Sequence, residues 1–323
     1  MSTLPAQAVR TLSRQGVLLA LIALILFGWT RYDNFLGSFN ILSVLRYNAM
    51  FALVALGMAY VIMTGGIDLS VGSTAALGSV VAALLSPYGM LAGLLGGLAA
   101  GLAVGSVNAF VITRLKVLPF VATLASMLAA SGCALLLADN QSVSVSYESG
   151  FVELGQGDLL GFPVPAWIVL VAYVAGSITL NFTAWGRTVL AVGGNEEATR
   201  LMGLPADRVK GAVYLVSGTL SGLSGVILAA QFGAGQPTEG VGWELFAIAS
   251  VVVGGTLLTG GVGSVGSTLA GVLLLGLIFN ILNFENGLGW ISLSAYWQSV
   301  VRGAFLLLVV VIQARLLART EPA

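Results

Sequence analysis

Two carboxylates stand in stretches that are otherwise apolar. Asp68 lies in Met63-Thr64-Gly65-Gly66-Ile67-Asp68-Leu69-Ser70-Val71-Gly72-Ser73, and Glu244 follows Trp243. A carboxylate in such surroundings is costly unless it is capped, paired or wet. Two adjacent glycines break a helix cheaply, so Asp68 and Ser70 can cap the helix that follows by accepting its free N–H groups. The other reading is that the break exposes polar backbone to a passing solute. The remaining polar groups in apolar runs are Asn48, Asn108, Thr123, Asn280, Asn283 and Gln298, with Phe120, Trp243 and Trp297 as flat rings nearby. Each is a candidate solute contact, and each also reads as helix-to-helix glue or an interface anchor. Arg302 and Glu244, charges within or at the edge of an apolar run, call for a partner or water.

The chemistry available to these residues is narrow. There is no His and a single Cys, Cys133, which excludes His-dependent catalysis, a disulfide framework and a His/Cys metal site. No catalytic residue and no metal ligand is assigned. Thirteen basic residues balance thirteen acidic ones, so a nucleic-acid surface is excluded as well.

The elements that must position these groups are membrane helices. Of 323 residues, 58% are hydrophobic and only 8% charged, with a mean hydropathy of +1.00. That is too little charge for a soluble surface. A spanning helix needs about 20 mostly apolar residues. Charge-free stretches run 15–30, 47–67, 69–113, 117–138, 159–186, 211–238, 245–284, 286–301 and 303–314. The stretches 69–113 and 245–284 are each long enough for two helices, and the last two flank Arg302 as one. The expectation is an all-α polytopic membrane protein of about ten glycine-broken spans, one domain over 1–323. Arg10 and Arg14 precede a first helix that is retained, because Trp29, Arg31 and Tyr32 follow it in place of a signal-peptide cleavage site.

Lys and Arg mark the cytoplasmic side. With an even number of spans and both termini inside, that side receives Arg10, Arg14, Arg114, Lys116, Arg187, Arg200, Arg208, Lys210, Arg315 and Arg319. The opposite side receives Arg31 with Asp33, Asp139, Glu148, Glu153, Asp158 and Glu239. The polar loop 139–162 is therefore expected in the periplasm and the loop 184–210 in the cytoplasm. Within the latter, Asn195 can cap a short helix, Glu196 and Glu197 suit the positive end of its dipole, and Gly203-Leu204-Pro205 stops it. It reads either as a solvated connector or as a docking surface. No GxxxxGK[ST] phosphate loop occurs, so any ATP must be bound by another chain. Thr64-Gly65-Gly66 before Val71-Gly72-Ser73-Thr74 is echoed by Thr259-Gly260-Gly261 before Val265-Gly266-Ser267-Thr268, through duplication or chance.

These segments resemble the ribose/galactose-type ABC sugar permease family. Its GGIDLSVGS signature stands at 65–73, its AVGGNEEAxRLxG pattern at Ala191 to Gly203 after Gly186-Arg187, and its GxxWELxAIAxVVxGGTxLxGGxGS signature at Gly240 to Ser264. Where the family has Asp after Glu-Leu, this chain has Phe246. Tyr296-Trp297-Gln298 to Arg302-Gly303 also matches. The resemblance implies alternating access in a bacterial inner membrane, with a second permease copy or paralogue, a cytoplasmic ABC ATPase that holds ATP and Mg, and a periplasmic sugar-binding protein. Glu197-Ala198-Thr199 and Gly203 resemble the element that docks on the ATPase, making Asn195, Glu196, Glu197, Ala198, Arg200 and Gly203 the expected coupling residues. Gly255 to Gly263 and Asn283-Phe284 look most like a galactofuranose importer subunit, where two different permeases pair. A permease for a branched-chain amino acid or a signalling sugar, and an ion-coupled secondary transporter, stand as alternatives.

Overall fold

The computed structural model describes residues 6–287 together with Trp297, Val300, Gly303 and Ala304. Among these the chain is helical nearly throughout, because in lipid only a helix or a closed barrel satisfies its own backbone. The helices are α1 (Ala6–Arg31), α2 (Ser38–Met63), α3 (Val71–Leu85), α4 (Met90–Thr113), α5 (Pro119–Leu137), α6 (Glu153–Gln156), α7 (Val164–Phe182), α8 (Ala184–Gly194), α9 (Glu196–Leu201), α10 (Ala206–Phe232), α11 (Trp243–Val253) and α12 (Val265–Gly287). Seven are long and apolar enough to cross a membrane, namely Ser38–Met63, Val71–Tyr88, Met90–Thr113, Pro119–Leu137, Val164–Phe182, Ala206–Phe232 and Val265–Asn286. Gly16–Arg31 and Trp243–Val253 are shorter apolar helices. The span expected over 286–314 lies almost wholly outside the described residues.

The two helices expected within 245–284 are unequal. Hydropathy continues across 254–264, but Gly255, Gly260 and Gly261 take positive φ there, a conformation that ends a helix and suits glycine. So α11 stops after 11 residues. At the Gly65 break, α2 likewise ends as expected.

Helix α2 is the centre. Every residue from Ala52 to Thr64 is buried, with α3, α7, α10, α11 and α12 packed around it. Hydroxyls staple it to its neighbours. Tyr173 of α7 donates to the Ala52 carbonyl (2.9 Å), Tyr60 donates to the Gly176 carbonyl (2.6 Å), and Ser224 of α10 donates to the Met50 carbonyl (2.9 Å). Since lipid tails are as apolar as Leu, association rests on such bonds and on close packing of small residues. That packing is clearest between α4 and α10. The buried face of α4 carries Gly93, Gly97, Gly101 and Gly105, and a Cβ on Gly101 would overlap the Gly218 carbonyl oxygen of α10.

The loop 139–162 does not float free. Val143–Ser144 pairs antiparallel with Ala234–Gly235, and Asp158–Leu159 with Phe162–Pro163. Phe151 is fully buried among Ala82, Ala83, Val226, Ala229 and Ala230, and Arg46 of α2 pairs with Asp158 at 2.6 Å.

Gly101→Ala should destabilise the purified protein by about 1–3 kcal/mol, the usual cost of overpacking. Gly132→Ala, whose added methyl meets nothing within 4 Å, should stabilise α5 by about 0.5–1 kcal/mol. Thermal melts in detergent measure both, and equal effects would refute the close-contact account of α4 and α10.

Candidate functional site

Asp68 is 1% exposed and every partner it has among the described residues is neutral. Its Oδ1 accepts from the Ser70 backbone N–H (3.0 Å) and the Ser70 hydroxyl (2.6 Å), and its Oδ2 from the Ser217 hydroxyl of α10 (2.8 Å). The network continues outward, with Asn108 of α4 donating to the Ser70 hydroxyl (2.9 Å) and Ser126 of α5 donating to the Asn108 carbonyl (2.5 Å). Thr123 of α5 reaches the Ile67 carbonyl at 3.4 Å. The carboxylate thus ties the α2–α3 break to α4, α5 and α10. Capping falls to Asp68 alone, because Ser70 occupies the N-cap of α3 without a side-chain cap bond; its hydroxyl is spent on Asp68. Asp68, Ser70, Asn108 and Thr123 are brought together in a closed cluster and line none of the three cavities described below.

The other candidates separate. Between α2, α11 and α12 lies a cavity of about 470 Å³ whose walls include Ser43, Tyr47, Asn48, Phe51, Phe246, Phe279, Asn280 and Asn283. Phe246 tilts against Phe51 (centroids 4.6 Å) and Phe279 (5.9 Å). Asn48 fits because Gly276 lies beneath it, where a Cβ would overlap its amide. Asn280 exchanges amide bonds with Asn40 of α2, donating at 2.8 Å and accepting at 3.2 Å. A second cavity, of about 530 Å³, shares Asn280 and Asn283 with the first and extends to Arg31, Tyr32 and Asp33. Its edge is held by Tyr32 donating to Glu285 at 2.6 Å. Rings that offer flat faces beside amides that both donate and accept are what a polyhydroxylated ring needs.

Trp243 is buried behind the cavity against Phe51 (4.8 Å). Glu244 is half-buried beside Gly72, at the start of α11. Phe120 and Trp297 are both more than half exposed, and Gln298 and Arg302 lie outside the described residues. Sequence reasoning missed Ser43, Tyr47, Phe51 and Phe279, and treated Phe246 only as a departure. The available signal was spacing, since Tyr47 and Phe51, like Phe279 and Asn283, sit four apart and share a helix face.

The third element is α9. Asn195 Oδ1 accepts from the Ala198 N–H at 2.8 Å, and Gly203 stops the turn at φ +76°. Arg200 and Lys210 both bond Glu196 at 2.8 Å, while Asp207 is held by Arg200 and by Lys116 at 2.7 Å. Partial burial pushes the Glu196 carboxyl up, but the bonds and charges of Lys210 and Arg200 outweigh it and hold it below its usual range. Leu201 and Met202 are left 84% and 66% exposed at the tip.

Just before α9, three Gly-Gly pairs converge. The Gly261 N–H donates to the Met63 carbonyl at 3.0 Å. A Cβ on Gly260 would stand 2.7 Å from the Gly65 nitrogen and 3.0 Å from the Gly193 Cα, one on Gly261 would stand 2.8 Å from the Gly194 Cα, and one on Gly193 would overlap the Met63 carbonyl oxygen. Both helix breaks therefore touch the end of α8, one residue from the Asn195 cap.

Asp68→Asn keeps the shape but turns one acceptor into a donor facing a serine hydroxyl. Leaving that buried donor unsatisfied should lower stability by about 1–3 kcal/mol; an unchanged melting temperature would show that the network is not what holds the break.

Residues 40–310 match the family described as branched-chain amino acid transport system, permease component. The chain is similar to the ribose import permease protein RbsC of Bacillus subtilis (strain 168), 39% identical over 307 residues covering 94% of each chain. It is also similar to RbsC of Escherichia coli (strain K12), 38% identical with 93% of this chain and 94% of the relative covered. The L-arabinose transport system permease protein AraH of Escherichia coli (strain K12) is 39% identical over 81% of this chain and 79% of its own length. No solved structure matches the chain significantly. The chain belongs to the branched-chain amino acid transport system permease-component family, among its ribose/galactose-type ABC sugar permeases.

Proposed function

We propose that this chain is the membrane-spanning permease subunit of an ABC importer for a monosaccharide, with the ring-and-amide cavity between α2, α11 and α12 holding the sugar in transit. The observation that carries the reading is the lining of that cavity. Among the described residues its walls offer phenyl faces and three amides and no charged side chain, which suits a neutral polyol and gives an amino-acid zwitterion no counter-charge. Relatives named for ribose and arabinose import support a pentose or similar sugar over the branched-chain amino acid of the family's description.

The remaining parts of the reading follow the family and the charge pattern. About ten spans, with both termini and α9 in the cytoplasm of a bacterial inner membrane, agree with the bias of Lys and Arg. The second cavity, beside Arg31 and Asp33, then faces the periplasm, where a sugar-binding protein would deliver its cargo. A cytoplasmic ABC ATPase, carrying ATP and Mg, would dock on the exposed tip of α9, and a second permease copy or paralogue would complete the path. The chain itself performs no covalent step. Motion of α9 reaches the path through the Gly-Gly junction, which meets both helix breaks at once.

Uptake of labelled ribose and arabinose into proteoliposomes holding the permease, its ATPase and its binding protein tests the assignment. Phe246→Ala and Asn280→Leu should each lower uptake about tenfold, equivalent to about 1.4 kcal/mol, without unfolding the protein. Uptake unchanged in both would remove the cavity from the path. Gly193→Ala should leave the ATPase bound in co-purification yet abolish ATP-driven uptake, whereas Glu197→Lys should weaken the co-purification itself. If Gly193→Ala transports normally, the junction does not transmit the motion.

A further inference from the structure

Where α4 ends and α10 begins, a cavity of about 590 Å³ opens between the two helices. Arg114, Lys116 and Arg208 stand around it with one carboxylate, Asp207, and the small residues Ala109 and Gly211 at its wall. The charges do not cancel. Asp207 is already shared between Lys116 and Arg200, and the side chains of Arg114 and Arg208 make no ion pair or hydrogen bond with any described residue. Among the described residues, three cations therefore face a cavity whose single carboxylate is also claimed by Arg200 from outside it.

The surroundings of the cavity specify the missing anion further. The face of α4 that leads to Arg114 is apolar and bare, with Leu95, Leu102 and Phe110 each about half exposed. In a bilayer that ridge contacts acyl chains, and the end of a spanning helix lies at the headgroup level. We propose that this cavity binds the phosphate of an anionic phospholipid, with its acyl chains along the outward ridge of α4. Arg forks match phosphate oxygens bidentately, and basic pockets between helices at the membrane surface are suited to acidic headgroups. A soluble phosphate would satisfy the arginines but make no use of the ridge.

The site is joined to α9. Lys116 borders the cavity and also pairs with Asp207, which Arg200 of α9 holds in turn, and Arg200 holds Glu196. A bound headgroup shares Lys116 with that chain of ion pairs, so the lipid braces the same short helix that the coupling role requires. The inference stands on α4, α10 and their charges, and is independent of which sugar is carried.

The test is native mass spectrometry of the assembled importer released from nanodiscs of mixed phosphatidylglycerol and phosphatidylcholine. Wild type should retain phosphatidylglycerol preferentially, and the Arg114→Gln/Arg208→Gln double variant should lose that preference by on the order of tenfold. The Arg114→Lys/Arg208→Lys variant should keep most of it. Equal retention in wild type and the Gln variant overturns the site, and displacement of the lipid by millimolar inorganic phosphate overturns the lipid as its source. On wild type alone, a photoreactive phosphatidylglycerol should crosslink to the end of α4 or the start of α10. Crosslinks found only elsewhere, or protection of these residues by the ATPase in place of lipid, count against the proposal.

Discussion

Backbone that leaves the helix inside a bilayer must find its partners within the protein, and this fold is organised around that requirement. The α2–α3 and α11–α12 connections both leave helical geometry within apolar sequence. They meet their need through each other, the Gly261 N–H on the Met63 carbonyl, and through Asp68, which takes the first N–H of the turn into α3. Such bonds require backbones to approach nearly to van der Waals contact, which glycine alone permits at these points. Once the breaks are fixed against one another, the positions of α3, α11 and α8 are no longer independent.

Two regions of different character grow from that junction. On one side α3, α4 and α10 interlock through small residues and the serine-amide network of Asp68, with little room between them. On the other, α1, α2, α11 and α12 meet through rings and long side chains that leave cavities. Cavities and a tightly packed frame call for opposite packing, and the chain supplies each by composition, Gly and Ser in one set and Phe and Asn in the other. α9 stands at the boundary, anchored by ion pairs to the frame and by Gly193-Gly194 to the breaks.

What the sequence made legible was local or periodic. The Asn195 cap, the Gly203 stop and the break at Gly65-Gly66 depend on neighbours a few residues away, and the spans follow from where charge is tolerated. The length of α11 was not legible in this way, because hydropathy is blind to a glycine turn inside an apolar run. Nor could the sequence distinguish Asn48 from Asn108. Both are amides in apolar helices, but one lines a cavity over Gly276 and the other is enclosed by Ser70 and Ser126. The difference lies in residues 18 to 228 positions distant along the chain. The meeting of three Gly-Gly pairs was hidden for the same reason. The similarity of the segments around Gly65-Gly66 and Gly260-Gly261 raised the question of duplication, while the significance of all three pairs lies in contact.

The glycine contacts also divide the protein's freedom to diverge. At Gly57, Gly72, Gly101, Gly193 and Gly225 an added methyl would drive into neighbouring backbone, whereas at Gly16, Gly132, Gly194 and Gly266 it would meet nothing within 4 Å. The first set forms a backbone-to-backbone lattice in which no single replacement is compensated by another side chain giving way, so paired substitutions offer no escape. Drift is channelled to the second set and to the cavity walls. Cavity-wall side chains such as Phe246 can thereby change while the backbone contacts that set the helices against one another stay the same.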